Sequence, residues 1–231
     1  MPTAFKAVFF DFNGVLVDDE PLHLELIQRV LREAGLHLSA DLCRTHGLGV
    51  PDHACLQTLW QLGGRAPLAA HELQHLIERK AAYYLEAVQA RDLLFPGVRA
   101  LVPRLAAALP LALVSGALQQ EVEFTLARAE LRQHFRVVVT AEDVAQGKPH
   151  PAGYLQALTA LNEMHKDNLE ARECLVIEDS LAGVAAAKRA GMFCVAVTTS
   201  FPAAALQAAD AIVPSLTNGA LEALLHAPLQ P

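Results

Sequence analysis

The chain alternates between short apolar runs and longer stretches with helical periodicity. A short apolar run bounded by turn residues fits a strand buried on both faces of a parallel sheet, whereas ten or more residues with apolar positions three or four apart fit an amphipathic helix. The apolar runs are residues 5–11, 111–115, 137–140, 174–179, 193–198 and 211–213. This alternation predicts an α/β fold with a doubly wound parallel sheet.

One region departs from the alternation, because no convincing strand occurs between residues 15 and 91. Two apolar helical faces occur there instead: Leu22, Leu26, Ile27, Val30, Leu31 and Ala34 on the first, and Leu73, Leu76, Ile77, Tyr84 and Val88 on the second. We therefore expect an all-helical domain at 15–91, inserted after the first strand into an α/β core made of residues 1–14 and 92–231.

Composition narrows the function classes. The 231 residues are 53% hydrophobic, which is enough for a sizeable core, and the net charge of -7 with no basic run argues against a nucleic-acid partner. No segment reaches the roughly 20 apolar residues of a membrane span, and the N-terminus has no signal-peptide pattern. Four scattered cysteines without a CxxC pair favour reduced thiols and a cytoplasmic location. We expect a monomer or a small homo-oligomer.

Polar groups follow four of the predicted strands. They are Asp11 with Asn13 and Gly14, Ser115-Gly116, Gly147-Lys148-Pro149, and Glu178-Asp179. Ligands of open α/β sheets bind at the carboxyl ends of the strands, so these four segments are expected to form one site. Each alone is more typical of a turn or a helix cap; four in order favour a functional site.

These residue types together suit phosphoryl transfer. Asp11, Glu178 and Asp179 would crowd three carboxylates, and a hard cation such as Mg²⁺ would relieve their repulsion. Ser115 and the amides after it, at a predicted helix start, would bind an anion, and Lys148 would pair with phosphate. The pattern predicts a magnesium-dependent centre with Asp11 as covalent nucleophile.

The same segments carry a family resemblance. Residues 8–18 (VFFDFNGVLVD), 113–116 (LVSG), 147–149 (GKP), 176–180 (VIEDS) and 183–187 (GVAAA) are similar in order and separation to the haloacid dehalogenase-like hydrolase superfamily. Within it, the chain resembles the helical-cap subgroup of the phosphoglycolate phosphatase and β-phosphoglucomutase relatives. The resemblance implies hydrolysis of a small phosphorylated metabolite.

The resemblance also implies roles in catalysis and metal binding. Asp11 would attack phosphorus and carry the aspartyl-phosphate. Asp11, the backbone carbonyl of Asn13 and Asp179 would hold Mg²⁺, with Glu178 bound directly or through water.

The resemblance implies the substrate contacts as well. Ser115, Gly116 and Lys148 would bind the phosphate. The helical cap would close over the substrate, with His23 and the loop 46–49, which begins with His46, facing the site.

Asn13 stands where phosphatases of the superfamily have an aspartate, which protonates the leaving group and then activates water. An amide cannot move that proton. General acid–base catalysis contributes about 10²–10⁴ in rate, or roughly 3–5 kcal/mol of barrier. Metal binding need not suffer, since the implied ligand is a main-chain oxygen. We therefore expect an enzyme that binds Mg²⁺ and phosphate but turns over slowly.

Several explanations of Asn13 stay open. It is natural in a slow phosphatase, in which His23 or an acid of residues 18–20 supplies the proton; it is an engineered change; or the chain is a phosphometabolite-binding relative without useful turnover. Deamidation at Asn13-Gly14 would restore an aspartate, a hypothesis that peptide mass mapping of aged protein, finding only the amide, would exclude.

Three other chemistries of the superfamily fit less well. Dehalogenases need no metal, whereas Glu178-Asp179 points to one. Phosphonate hydrolases use a cap lysine as a Schiff base, and the only lysine in 15–91 is Lys80, deep in a helical pattern. A mutase needs the acid that Asn13 replaces.

A further alternative is a zinc hydrolase. Residues 71–75 (HELQH) match the HExxH pattern, in which two histidines one helical turn apart bind zinc and the glutamate acts as base. No HxxGxxH extension follows, and ten histidines allow a chance match. These polar residues equally fit a solvated helix face, which we favour.

Overall fold

The computed structural model describes residues 5–47, 50–164, 168–217 and 219. The chain divides into two compact units. The sheet unit comprises Met1–Asp18 and Leu94–Pro231, and the helical unit comprises Asp19–Leu93.

The sheet unit contains six parallel strands in the order β3-β2-β1-β4-β5-β6. They are β1 Ala7–Phe10, β2 Leu111–Val114, β3 Phe135–Val139, β4 Cys174–Glu178, β5 Phe193–Val197 and β6 Ala211–Val213. The predicted doubly wound parallel sheet is confirmed. β1 lies between β2 and β4, with Phe10 paired to Leu113 on one side and to Ile177 on the other.

Eight α-helices accompany the strands within the described residues. The helical unit contains α1 Glu20–Glu33, α2 Ala40–Gly47, α3 Asp52–Leu62 and α4 Ala70–Ala90. The sheet unit contains α5 Val98–Ala106, α6 Gln119–Arg128, α7 Ala152–Met164 and α8 Leu181–Arg189. None of the described helices combines the length and the apolar character that a membrane span requires.

Both faces of the central strands β1, β2 and β4 are buried. Successive strand residues point to opposite faces. Phe9 and Val176 point to the face where they pack with Tyr154 of α7 and Val184 of α8. Phe10 and its neighbours on the opposite face are equally inaccessible to solvent. Burial on both faces explains why the strands read as continuous apolar runs rather than alternating ones.

The helical unit has its own core, formed where the predicted apolar faces of α1 and α4 meet α2 and α3. Its buried members are Ile27, Val30, Leu31, Leu36, Cys43, Cys55, Leu56, Leu59 and Leu76. Lys80, on the buried face of α4, forms a 2.7 Å ion pair with Asp52. Tyr84 donates a 2.6 Å hydrogen bond to the buried carboxylate of Asp19.

The helical unit begins at Asp19, whereas the sequence pattern placed the start of a cap at residue 15. Residues 15–18 stay with the sheet unit because the Gly14 amide donates to the Val17 carbonyl (2.8 Å), and Val17 forms an antiparallel bridge with Leu94. The division at 15–91 remains a prediction about which residues act as a cap.

Candidate active site

Three carboxylates meet at the carboxyl end of the central strands. Asp11 directly follows β1, and its amide donates to the Ile177 carbonyl of β4 (3.0 Å), which sets it beside Glu178 and Asp179. Ligand oxygens of these three acids lie within 4.8 Å of one another, and all three side chains are buried. Among the described residues this is the only group of three or more metal-ligating side chains at such spacing.

Lys148 lies between two of these carboxylates. Its loop joins β3 to α7, and its Nζ is 2.7 Å from Asp11 Oδ1 and 2.6 Å from Glu178 Oε1. Burial alone would lower the pKa of this ammonium, but the charges of Asp11 and Glu178 outweigh burial and raise it. Lys148 is therefore a permanent cation at the site.

Glu178 is fully buried and already saturated with hydrogen-bond donors. Its Oε1 accepts from Lys148 and from the Tyr154 hydroxyl (2.8 Å). Its Oε2 accepts from the Asp179 amide (3.1 Å) and from both the amide and hydroxyl of Ser180 (3.3 and 3.1 Å). A carboxylate offers about four lone-pair sites. Glu178 consequently has little capacity left for a metal, and it holds Lys148 in place.

The pKa values of the other two acids, Asp11 and Asp179, are raised. Burial, followed by repulsion from Glu178, raises the pKa of Asp11 to about 7, although Lys148 opposes the shift. Burial, followed by repulsion from Asp11 and Glu178, raises the pKa of Asp179 to about 8. A divalent cation would remove the repulsion that raises both values, so the donor set fits a hard metal ion.

The turn after Asp11 approaches Asp179 closely. Gly14 has a φ of +73°, and a Cβ at this position would lie 1.9 Å from Asp179 Oδ2. Asn13, half-buried, precedes it in the same turn and forms a parallel bridge with Val17. The turn therefore depends on glycine at position 14 and places Asn13 at the same edge of the sheet as the acids.

Ser115 follows β2 at this edge. It is buried, its amide donates to the Val139 carbonyl of β3 (2.9 Å), and its Oγ accepts from the Ala117 amide (3.0 Å). A Cβ on Gly116 would meet nothing within 4 Å, so the backbone beside Ser115 is open to an approaching ligand. The roles expected for Ser115, Gly116 and Lys148 in phosphate binding stay predictions.

Two side chains at the site were not expected from the sequence. Tyr154 of α7 donates to Glu178, and Ser200 donates a short hydrogen bond to Asp179 Oδ2. Ser200 lies three residues after β5, and the run of hydroxyl residues directly after this buried strand could have indicated it from the sequence. No such indication exists in the sequence for Tyr154, since an aromatic residue in a helix is more often part of the apolar core.

The two histidines expected to contact substrate belong to the helical unit. His23 on α1 is half-buried, with its Nε2 3.1 Å from Asp19 Oδ2 and its ring stacked on Tyr84. His46 lies near the end of α2. In the loop 46–49, residues 48 and 49 lie outside the described residues. The roles of both histidines stay predictions.

The HExxH segment forms the first turn of α4. His71 and His75 are exposed, with ring centroids 6.4 Å apart. The Glu72 carboxylate accepts from the Ala69 amide (2.8 Å) and thereby caps the helix. Neither histidine belongs to the one metal-ligating group of the described residues. The geometry supports the solvated-face interpretation, not a zinc hydrolase.

Comparison with known proteins identifies the family of this chain. Residues 5–191 match the family model of haloacid dehalogenase-like hydrolases, and the chain belongs to that family. Validoxylamine A 7'-phosphate phosphatase of Streptomyces hygroscopicus subsp. limoneus is 31% identical over 215 residues, 93% of this chain and 95% of the relative. The phosphorylated carbohydrates phosphatase of Thermotoga maritima is 34% identical over 188 residues, 81% of this chain and 82% of the relative.

A solved structure has the same architecture. The β-phosphoglucomutase of Clostridium difficile superimposes with a TM-score of 0.80 at 21% identity, covering 96% of this chain and 97% of that one. At this identity the likeness establishes the shared fold.

Proposed function

We propose that the protein is a Mg²⁺-dependent phosphatase that hydrolyses a small phosphorylated metabolite through an aspartyl-phosphate on Asp11. The observation that carries the proposal is the buried group of Asp11, Glu178 and Asp179 with Lys148 between two of its members. Membership of the haloacid dehalogenase-like hydrolase family and the named phosphatases among the relatives support the same reaction class.

The chain's own oxygens suit the metal. Asp11, Asp179 and the main-chain carbonyl of Asn13 would hold Mg²⁺, while the saturated Glu178 would act through water or through Lys148. The bound ion would neutralise charge on the phosphoryl group and keep both aspartates ionised.

Asp11 acts as the nucleophile toward phosphorus. One of its oxygens forms the new O–P bond while the bond to the leaving oxygen breaks. Lys148 lowers the pKa of Asp11 against the effect of burial, which favours the ionised nucleophile. Ser115 and Lys148 would counter the phosphoryl charge.

Asn13 limits the rate in this proposal. The departing oxygen needs a proton, and the water that later attacks the aspartyl-phosphate must lose one. The amide of Asn13 can position a water molecule or a leaving group by hydrogen bonding but can neither give nor take that proton. Turnover is therefore slow, especially with poor leaving groups.

The names of two relatives support a substrate class. One is named for validoxylamine A 7'-phosphate and the other for phosphorylated carbohydrates. We infer that a phosphate ester of a carbohydrate is the substrate.

The decisive experiment measures Mg²⁺-dependent phosphate release from a panel of sugar phosphates by the protein with Asn13 and by Asn13→Asp. We expect the variant to be about a hundredfold faster or more, within the range of one acid–base group. Asp11→Asn is the control and should release no phosphate in either background. Equal activity of the protein with Asn13 and of Asn13→Asp would show that another group carries the proton.

Asn13 also favours a second candidate, a phosphometabolite-binding protein without useful turnover. It predicts that sugar phosphates bind to the protein in calorimetry while the protein with Asn13 releases no phosphate. Repeated turnover of a sugar phosphate by the protein with Asn13 would reject it.

A further inference from the structure

The segment after β5 connects the two loops that carry the candidate metal ligands. Thr198 continues the sheet, since its amide donates to the Val213 carbonyl of β6 (3.2 Å). The next two residues then turn their hydroxyls to the site. Thr199 Oγ1 donates to the Gly14 carbonyl (2.5 Å), and Ser200 Oγ donates to Asp179 Oδ2.

The hydrogen bond from Ser200 restricts one carboxylate. Asp179 is 4% exposed, and its Oδ2 faces both Ser200 and Gly14, so that a Cβ on Gly14 would lie 1.9 Å from that oxygen and 2.9 Å from Ser200 Oγ. The Asp179 carboxylate thus lies between the Ser200 hydroxyl and Gly14, which has no side chain to displace it. These two neighbours set the side-chain torsion of Asp179.

The hydrogen bond from Thr199 restricts the other loop. The Gly14 carbonyl belongs to the turn that follows Asp11 and includes Asn13. Gly14 has a positive φ, and because glycine can adopt many backbone conformations, it does not by itself hold the turn in one of them. The Thr199 hydroxyl fixes the carbonyl direction and with it the turn.

We propose that Ser200 and Thr199 are positioning residues that preorganise the divalent-cation site, Ser200 by orienting Asp179 and Thr199 by fixing the Asn13-Gly14 turn. The inference rests on the proposed metal-dependent function. Groups that orient metal ligands typically change metal affinity by about 10–100-fold when removed, because the free ligand then samples orientations that do not bind. Neither hydroxyl needs to touch the metal or the substrate.

The test is calorimetric titration of the 231-residue chain with Mg²⁺ alone. We expect Ser200→Ala to weaken the Kd by about 10–100-fold. Thr198→Val is the matched control, because in the described part of the chain its side chain makes no hydrogen bond to Gly14 or Asp179, and its Kd should equal that of the unsubstituted chain. In Asn13→Asp, which supplies turnover, Ser200→Ala should raise the Mg²⁺ concentration for half-activation while kcat at saturating Mg²⁺ stays within about threefold.

The outcomes separate this inference from the proposed function. If the unsubstituted chain binds no Mg²⁺, the metal-dependent function fails and the inference fails with it. If the unsubstituted chain binds Mg²⁺ and Ser200→Ala binds it equally well, only the inference is overturned. The inference is also overturned if Thr198→Val weakens binding as much as Ser200→Ala. Where Ser200→Ala does not fold, Thr199→Val gives the same test, and an unchanged Kd there rejects the proposal.

Discussion

Gly14 is the residue at which backbone geometry and site chemistry meet most directly. Its positive φ is costly for any residue with a Cβ, by about 1–2 kcal/mol. A methyl group there would in addition displace the Asp179 carboxylate, 1.9 Å from the Cβ position, from its hydroxyl partner. We predict that Gly14→Ala loses about 2–5 kcal/mol of stability, the sum of left-handed strain and overpacking, and binds Mg²⁺ more weakly.

Gly35 supplies the matched control. Its φ of +78° is similar, but a Cβ there meets nothing within 4 Å. Urea unfolding of Gly35→Ala should therefore show the left-handed cost alone, with Mg²⁺ affinity unchanged. Equal losses of stability in the two variants would contradict a steric role for Asp179 at Gly14.

The sequence identifies the site residues that lie at the end of an apolar run, because a polar residue at that position can be recognised without knowing the fold. Asp11, Ser115 and the Glu178-Asp179 pair each follow an apolar run, and the structure places them at one edge. The hydrogen bonds of Glu178 with Tyr154 and Ser180 could not be predicted from the sequence, because they depend on how α7 and α8 approach β4. The sequence consequently suggested Glu178 as a metal ligand, whereas its partners favour a supporting role.

Helix α8 approaches the end of β4 closely because Gly183 lacks a side chain. A Cβ on Gly183 would lie 1.8–2.0 Å from the carboxylate of Glu178, which five hydrogen bonds hold in place. The Ser180 hydroxyl caps the same helix by accepting from the Gly183 amide (3.0 Å). The helix therefore cannot accept a larger residue without moving Glu178 or itself.

Because α8 lies this close to Glu178, we predict that Gly183→Ala lowers stability, whereas a glycine-to-alanine exchange in a helix usually raises it. Within a helix the exchange of glycine for alanine ordinarily stabilises by up to about 1 kcal/mol. Here we expect a loss of about 1–3 kcal/mol from overpacking, together with weaker phosphate-analogue binding as Lys148 loses a fixed partner. Thermal unfolding gives the sign, and a stabilised variant would show that α8 can shift freely.

The positions of the strands were easier to predict from the sequence than the order in which the strands pair. All six strands lie within or beside the expected apolar runs; β3 alone starts earlier, at Phe135 instead of residue 137. Burial on both faces makes such runs conspicuous. The order of the strands depends on contacts between distant segments, and an apolar run carries no mark of which other run pairs with it.

The site is assembled from segments that are far apart in the chain. Asp11, Ser115, Lys148 and Glu178 come from four separate loops or strand ends of the sheet unit, and folding of the sheet brings their charges together. Without a cation, this assembly concentrates negative charge in a buried place. Folding and the protonation of the site are therefore linked.

The sign of that linkage follows from the raised pKa values. Asp11 and Asp179 have an ordinary pKa of 3.8, against about 7 and about 8 in the folded protein. Between about pH 4 and pH 8 the folded state holds more protons than the unfolded state, so these two groups make stability fall as pH rises. The contribution is fully favourable below the unfolded pKa and is lost as pH passes through the folded pKa values.

We therefore predict that the metal-free protein loses stability from pH 5 to pH 8.5, and that Mg²⁺ restores it most strongly at the alkaline end, where it does not compete with protons. Chemical unfolding with EDTA or with excess Mg²⁺ across this range measures both effects. Asp179→Asn is the control: with one carboxylate removed, the metal-free variant should be more stable than the unsubstituted chain at pH 8 and should gain less from Mg²⁺. A Mg²⁺ effect that is equal at pH 5 and pH 8.5 would contradict the linkage, because a cation bound by these carboxylates must displace their protons at low pH.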